Sequence, residues 1–477
     1  MKKYSLLLIL IGVLSITSCK KFVEGYRKDP NGFVNSTTKQ EMLATMLQNQ
    51  FFHKGDGMRL AMLWMNQATG ADRQYKVLDD WNNATSKNFN NPWSEVYKIM
   101  THAMITEKMA NEDGNQVTRG LAKMFRAWAG GEAASLWGNV PFTQVNDPNH
   151  EEPIYENQAD VFASAQALLD DAITDLNSGI GVIDSDKDIY FKGNTFNWVK
   201  IAHGIKARLY LHAKDYSHAL QEAQLGPSSS AAGNNLYELN DDLYALYESF
   251  DDTPWGKYNP TKQFLIQRAG DLDATDTYAG GLFSSRQNSK TNEGGRKAFN
   301  YTGLNLNAAY QGDDKIGKFF GNMNLITYGE MLLIQTECIL RDNTKTVADA
   351  LVPYNTYRNL LNNRHYVRGF GNNNAVKYLP YDPADFNNGG MENLDNIDPK
   401  KAFLREVFEE RYLFFIGDYE SFIDHARSYN DPMVPQYMEL SDYDDEPLRF
   451  VYPEVEEDAN DNFPGSVSIT TPLPLYN

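Results

Sequence analysis

Two carboxylate side chains at helical spacing are the first residues in this sequence that could do chemistry. Glu330 and Glu337 are seven residues apart in a stretch with apolar residues at helical spacing, so a helix there places both on one face. Glycoside hydrolysis needs two carboxyl groups that face one bond, and this pair is a candidate for that role. Carboxylates on paired helices more often form ion pairs between helices, and Arg405 or Arg411 could supply the partner. We favour this structural interpretation.

An acidic run at residues 184–188 (Asp-Ser-Asp-Lys-Asp) has the spacing with which a calcium loop begins. Its sixth position is Ile189, where such a loop needs Gly, and its twelfth is Thr195, where it needs Glu. A solvated acidic loop is the favoured interpretation. The eight His residues form no zinc-ligand pattern, and there is no nucleophile elbow or phosphate-binding glycine loop. We therefore predict no enzyme activity, no bound metal and no cofactor.

The beginning of the chain has the pattern of a bacterial export signal. A basic start at Met1–Tyr4 precedes an apolar core at Leu6–Leu14, which is too short to span a bilayer. A cut just before Cys19 is typical of lipoproteins; a generic secretory signal or a transmembrane anchor are the alternatives. We predict a signal peptide at residues 1–18, acylation of Cys19 and a tether at residues 19–35. The protein is then fastened to a membrane by lipid rather than by spanning it.

Charge and cysteine content narrow the classes of partner. The 477 residues include 63 Asp and Glu against 44 Lys and Arg, a net charge of −19. Nucleic-acid binding depends on clustered Lys and Arg, so we predict no nucleic-acid partner. Cys338 is the only other cysteine, which excludes an internal disulfide once Cys19 is acylated. We interpret Cys338 as a small core residue.

Helical periodicity dominates the first half of the chain and returns later. Small residues between Ala129 and Ala134 permit a close approach to a neighbouring helix, and Ala207–Leu220 partly fits a tetratricopeptide unit. The sequence predicts a mostly α fold, a tetratricopeptide-like helical-repeat scaffold with long irregular loops and a few short strands. One predicted helix starts at Asn91-Pro92. The other predicted helices are Gln116–Trp137, Val161–Leu176, Phe196–Ala213, Tyr216–Gln224, Tyr328–Arg341, Val347–Asn362 and Lys401–Arg427.

Several segments, taken in order, resemble the SusD/RagB family of outer-membrane nutrient-binding lipoproteins, and more closely its SusD-like branch. The last of these segments, Glu410–Asp424, departs from the family pattern at Phe414 and Ser421, so the resemblance does not support an ion pair between those positions. The segments are Cys19 with Asp29-Pro30-Asn31, Trp137–Phe142, Ala207–Leu220, Tyr328–Glu337 and Glu410–Asp424.

The resemblance implies a fold, a location and a partner. It implies one SusD-like domain at residues 36–477, with helical repeats at about 93–225 and 327–362 and ligand-binding loops at about 226–326 and 363–400. It also implies an outer-membrane lipoprotein facing the cell exterior, which binds an oligosaccharide or a peptide and delivers it to a TonB-dependent, SusC-like transporter. A surface-anchored glycosidase or peptidase and a helical-repeat scaffold for protein partners are the alternatives.

Candidate ligand-binding residues follow from the same resemblance, which implies an exposed shelf of aromatic and amide side chains. Flat aromatic rings stack on sugar C–H faces, and amide or charged groups bond to hydroxyls. We expect these residues in the stretch at 69–91 and in the middle loops. They are Arg73, Tyr75, Trp81, Asn82, Asn83, Trp255, Tyr258 and Tyr301.

Overall fold

Antiparallel helices form the first half of the protein. A computed structural model describes residues 36–70, 73–231, 239–245, 272–273, 278–301, 323–367, 376–438, 440 and 445–477. From α4 to α8 each helix packs against the next in chain order, α2 packs on α1 and α3, and α1 packs on α4. The helices are α1 (Thr38–His53), α2 (Asp56–Trp64), α3 (Arg73–Leu78), α4 (Asn90–Glu112), α5 (Gln116–Trp137), α6 (Gln158–Leu176), α7 (Thr195–His212) and α8 (Tyr216–Leu225).

The second half adds helices that cover the first set. The hairpin α11–α12 packs on α8 and on α13, and α14 reaches back to α2 and α7. These helices are α9 (Tyr278–Ser285), α10 (Gly294–Tyr301), α11 (Tyr328–Arg341), α12 (Val347–Asn362), α13 (Pro399–Phe414), α14 (Glu420–Ser428) and the short α15 (Glu454–Glu457). The predicted mostly α, repeat-like fold is confirmed, and several helix ends agree to the residue with those predicted.

Helix ends follow from capping side chains. The Asn115 side chain accepts a hydrogen bond of 3.0 Å from the Thr118 backbone and starts α5. Thr327 caps α11 in the same way, through the backbone of Glu330. Gly138, at φ +87°, ends α5 in a conformation that a residue with a Cβ rarely adopts.

Close helix packing explains the small residues of α5. A Cβ on Gly131 would clash with the Leu209 side chain of α7, and one on Gly120 would lie 2.7 Å from the backbone oxygen of Ala172 of α6. The expected close approach around Ala129–Ala134 is therefore present.

The single helix predicted at Lys401–Arg427 is wrong. The chain forms α13 and α14 instead, separated by residues 415–419. Gly417 has φ +83°, which a continuous right-handed helix cannot contain. The apolar period runs through this break, because both helices bury side chains in the same core, and so periodicity alone did not reveal it.

Short strands form three two-stranded antiparallel pairs among the described residues. Strand β1 (Thr69–Gly70) pairs with β3 (Leu272–Asp273), with Thr69 opposite Asp273. Strand β2 (Leu243–Ala245) pairs with β5 (Met323–Ile326), and β4 (Thr291–Asn292) pairs with β6 (Lys377–Tyr378). Each pair joins segments that are distant in sequence and so fixes the long loops on the helices.

Ion pairs buried between helices hold distant helices together. Arg208 of α7 binds both carboxylate oxygens of Glu330, at 2.7 and 2.8 Å. Arg427 of α14 binds both oxygens of Glu337. The expected partners were wrong in both cases: Arg411 pairs with Asp424 at 2.6 Å, and Arg405 pairs with Asp395 on the surface. Partner choice depends on which helices meet, which spacing within one helix does not specify.

The structure also tests the expectations for the acidic run at 184–188 and for Cys338. Asp188 is buried rather than solvated, because it accepts hydrogen bonds from the Gly193 backbone and from the Trp198 indole, both at 2.8 Å. Cys338 is buried in the core as predicted, and burial raises the pKa of its thiol.

Among the described residues, no helix combines the length and apolar character needed to cross a membrane.

Candidate functional site

The structure brings the stretch at 69–91 next to the middle loops. Strand β1 begins that stretch and pairs with β3 of the middle loops. Beside it, the Asn66 side chain accepts a hydrogen bond of 3.2 Å from the backbone of Tyr278, the first residue of α9. Two regions about 200 residues apart in sequence therefore form one surface, and helix α9 begins at this surface.

The rings of Tyr75 and Trp81 are buried beneath this surface. Only 1% of Tyr75 and 3% of Trp81 is exposed. The Tyr75 hydroxyl receives a hydrogen bond of 2.6 Å from Arg59, and burial raises the pKa of that hydroxyl although Arg59 opposes the shift. The expectation that these two rings stand on an exposed shelf is wrong, because a flat apolar ring in a short helical turn is better placed against the core.

Asn82 and Asn83 stand at the surface with their amide oxygens available. Their NH2 groups are held inside the turn: Asn82 donates to Asp80 at 3.1 Å, and Asn83 donates to the Val77 carbonyl at 3.0 Å. Asp80 also accepts from the Asn82 backbone and so fixes the turn that follows α3. No hydrogen bond within the described part of the chain uses either amide oxygen. Both oxygens are thus positioned acceptors for a ligand hydroxyl.

The remaining predicted site residues lie partly in helices and partly outside the described residues. Arg73 is exposed at the start of α3, in a left-handed backbone conformation with φ +53°. Tyr301 is the last residue of α10. Trp255, Tyr258 and Cys19 lie outside the described residues, so their expected roles stay predictions.

A cavity of about 410 Å³ opens at the far end of α9. It lies between α9, the predicted loop region at 363–400 and α13, and it mixes apolar side chains with charged ones. Its lining includes Leu282, Arg286, Met391, Glu392, Leu394, Asp395, Arg405, Glu406 and Glu409. The structure therefore joins the two predicted loop regions, 226–326 and 363–400, around one concave site.

Charged groups in this cavity are organised by Arg286. Its guanidinium donates to Glu406 and Glu409 at 2.8 Å and to Glu410 at 2.9 Å. Burial raises the pKa of Glu406 although Arg286 opposes the shift. Sequence reasoning missed these glutamates as site residues. The signal was the spacing of Glu406, Glu409 and Glu410 at i, i+3 and i+4, which places them on one helix face.

The candidate catalytic pair is placed where no substrate reaches it. Glu330 and Glu337 are both fully buried. Burial raises the pKa of Glu330, whereas Arg427 and Arg341 overcome the effect of burial and hold the pKa of Glu337 below its usual range. Each carboxylate has both oxygens bound to a guanidinium, so their geometry is that of helix-to-helix ion pairs.

One group of side chains in the described part of the chain has the spacing for a metal ion: Glu132, His212 and Glu420. Arg208 already supplies positive charge there, with its guanidinium 3.3 Å from Glu132 and 3.4 Å from Glu420. His212 is held between Ser135 and Glu420 by hydrogen bonds of 2.8 and 3.0 Å. These donors therefore fit a buried ion-pair network better than a metal site.

Comparisons with known proteins agree with the observed fold. A family model described as "Starch-binding associating with outer membrane" matches residues 27–453. No curated protein matches the chain in sequence. A solved SusD/RagB family protein from Bacteroides thetaiotaomicron is 19% identical with a TM-score of 0.64, over 90% of this chain and 95% of that one.

Two further structures share the fold. A SusD homolog from Bacteroides fragilis is 18% identical with a TM-score of 0.61, over 93% of this chain and 100% of that one. A chitin-binding protein is 14% identical with a TM-score of 0.60, over 90% of this chain and 95% of that one. At these identities the likeness concerns the fold alone.

Proposed function

Because this chain belongs to the SusD-like family, we propose that it is a lipoprotein that captures an oligosaccharide and delivers it to a TonB-dependent transporter. The family is one of nutrient-binding proteins that associate with the outer membrane. The proposal adds the class of ligand, the lipid anchor at Cys19, the orientation toward the cell exterior and the transporter as partner.

One observation carries the ligand-binding part of the proposal. Helix α9 touches the Asn66 turn with its first residue, and its Leu282 and Ser285 line the 410 Å³ cavity. The surface that carries Asn82 and Asn83 and the cavity between the loop regions therefore flank one helix. An eight-residue helix is about 12 Å long, so a ligand of a few sugar units is long enough to contact both.

The polar groups on this surface suit hydroxyl-rich ligands. The amide oxygens of Asn82 and Asn83 accept hydrogen bonds, and Arg73 offers donors. Tyr75 and Trp81 then serve as buried supports, while Trp255, Tyr258 and Tyr301 remain our candidates for stacking on sugar faces. The family description and the chitin-binding neighbour support a glycan over a peptide.

Delivery requires attachment to the membrane and no chemical step. We propose a signal at residues 1–18, a lipidated tether at 19–35 and one ligand-binding domain at 36–477. A domain held only by a tether can close over a transporter and open again without leaving the membrane. Two or more acyl chains make such an anchor stable.

Binding measurements against panels of starch-derived, chitin-derived and peptide ligands test the proposal. We expect a glycan to bind, with weaker binding for Asn82→Ala and Asn83→Ala and unchanged binding for Asn343→Ala, an exposed asparagine after α11. Exclusive binding of peptides would replace the ligand class, and release of smaller products would replace binding with catalysis. Co-purification of the acylated protein with a large β-barrel tests the transporter.

A further inference from the structure

The end of the helical bundle from which the tether leaves has its own surface chemistry. Thr38, the first residue of α1, donates a hydrogen bond of 2.6 Å to Asp113, just after α4. Lys39 lies 3.3 Å from Asp184 in the loop between α6 and α7. The described chain therefore begins beside the turns that join α4 to α5 and α6 to α7.

An open groove of about 380 Å³ runs up from these turns between α4 and α5. We call it the tether-end groove. Four of its lining residues are cationic and one is acidic, in a chain where acidic residues outnumber basic ones by 63 to 44. The groove is lined by Met104, Glu107, Lys108, Asn111, Arg119, Lys123 and Arg126.

Neighbouring carboxylates neutralise only part of this charge. Arg126 pairs with Glu107 at 2.9 Å, and Arg119 and Lys123 share the single carboxylate of Asp175, at 2.6 and 2.9 Å. Asp171 is 3.9 Å from Lys123, with its side chain 71% exposed. Lys108 is exposed, and no ion pair joins it to another described residue. The groove therefore offers positive charge to a partner.

Apolar side chains are exposed on the loop between α6 and α7, beside the start of α5. Ile180 is 49% exposed and Val182 is 72% exposed. Both are fastened to the start of α5: the Val117 backbone donates to the Ile180 carbonyl at 3.1 Å, and Asn115 donates to the Val182 carbonyl at 2.8 Å. Cations beside fixed, exposed apolar side chains are the composition of a surface that meets a membrane interface.

We propose that the tether-end groove, with Ile180 and Val182, is a second membrane contact that binds the phosphate groups of anionic lipids. The position of the tether favours lipid over a protein partner, because residues 19–35 extend at most about 60 Å and keep this end near the anchored acyl chains. The cations contact headgroup phosphates, and the two apolar side chains enter the interface. The contact orients the domain relative to the membrane, which a tether alone does not do.

Flotation with lipid vesicles tests this contact in the mature chain begun at residue 20, which lacks only the signal and the acylated cysteine. We expect binding to vesicles of equal parts phosphatidylcholine and phosphatidylglycerol, and little binding to phosphatidylcholine alone. Each Lys or Arg near an anionic surface contributes a factor of about five in affinity, so Lys108→Gln should weaken binding about fivefold. Added salt should weaken it further.

Matched controls separate this contact from general surface effects. Lys345→Gln, at an exposed lysine before α12, should not change vesicle binding. Ile180→Ser with Val182→Ser should weaken it, whereas Val352→Ser, at a valine 69% exposed on α12, should not. Glycan binding should stay unchanged in every variant, so failure here is distinguishable from failure of the proposed function.

Three outcomes would overturn the inference. They are absence of binding to either vesicle, equal binding to both kinds of vesicle, and no effect of Lys108→Gln on vesicle binding. If Lys108→Gln instead abolishes co-purification with a β-barrel and leaves vesicle binding intact, the groove contacts protein.

Discussion

Arg427 donates two hydrogen bonds of 2.7 Å to the two carboxylate oxygens of Glu337, a residue 90 positions earlier in the chain. Both side chains are buried, and the pair joins α14 to α11. Arg341 adds a bond of 2.8 Å to the same carboxylate. A buried carboxylate with two guanidinium partners stabilises the contact between helices, so its mutation should change the stability of the fold.

Glu337→Gln should destabilise the fold by about 3 kcal/mol, because it removes the negative charge that two buried guanidinium groups share. Among the described residues, Arg427 then keeps only Asp424 as a carboxylate partner, and Arg341 keeps only Asp431. Chemical denaturation measures the loss. Glu112→Gln, at the exposed end of α4, is the control and should change stability by less than about 0.5 kcal/mol. If Glu337→Gln folds as stably as the parent, the pair does not stabilise the contact between helices, and the carboxylate becomes available for another role.

Gly120→Ala should destabilise by about 1–3 kcal/mol, because its Cβ would lie 2.7 Å from a backbone oxygen of α6. Gly281→Ala on α9 should instead stabilise by up to about 1 kcal/mol, since a Cβ there meets nothing within 4 Å and the substitution favours the helix. Thermal unfolding of both variants gives the comparison. The same sign for both would contradict the packing of α5 on α6.

Stability should fall as pH rises from about 4.5 to 8 in a way that depends on Glu95. Burial raises the pKa of Glu95 to about 8, and its Oε2 has no hydrogen-bond partner in the described part of the chain. Between the unfolded and folded pKa values the folded state therefore binds the extra proton, which gives a slope of at most about 1.4 kcal/mol per pH unit.

Glu95→Gln should remove this part of the slope, which denaturation at several pH values measures. The variant should gain stability most at the alkaline end, where the parent must ionise a buried carboxyl group. Glu112→Gln serves again as the exposed control. An unchanged slope in Glu95→Gln would show that other groups govern the pH dependence.

Trp81→Ala should lower stability by about 3–5 kcal/mol, because it removes a large buried ring. Trp81→Phe, which keeps an aromatic side chain in the same place, should retain glycan binding once the protein is folded. Calorimetric titration below the unfolding transition tests this. Loss of binding in a stably folded Trp81→Phe variant would show that the indole itself contacts the ligand.

Much of the helical scaffold could be predicted because its determinants are local. The limits of α5, α11 and α12 follow from Asn115, Thr327 and Thr346 at their caps and from a steady apolar period. The break between α13 and α14 escaped prediction because one glycine in a left-handed conformation interrupts a period that otherwise continues.

The candidate site was predictable in region but not in its individual contacts. The stretch at 69–91 and the middle loops do meet, through β1 and β3. Tyr75 and Trp81, however, are buried there, and Glu406 and Glu409 line a cavity that no local pattern of the loops indicates. A ring in a polar stretch looks exposed in sequence, whereas its burial depends on which distant segment covers the turn.

The amino-acid sequence by itself determined many of the helices, their close packing at small residues and the membership of the SusD-like family, because caps, apolar periods and motif order are properties of neighbouring residues. Only the tertiary structure decided that Arg208 pairs with Glu330, that the NH2 groups of Asn82 and Asn83 bond within their turn, and that four cations from α4 and α5 line one groove. Those relationships join residues from separate helices and loops, and their energies depend on distance and burial in space rather than on separation along the chain.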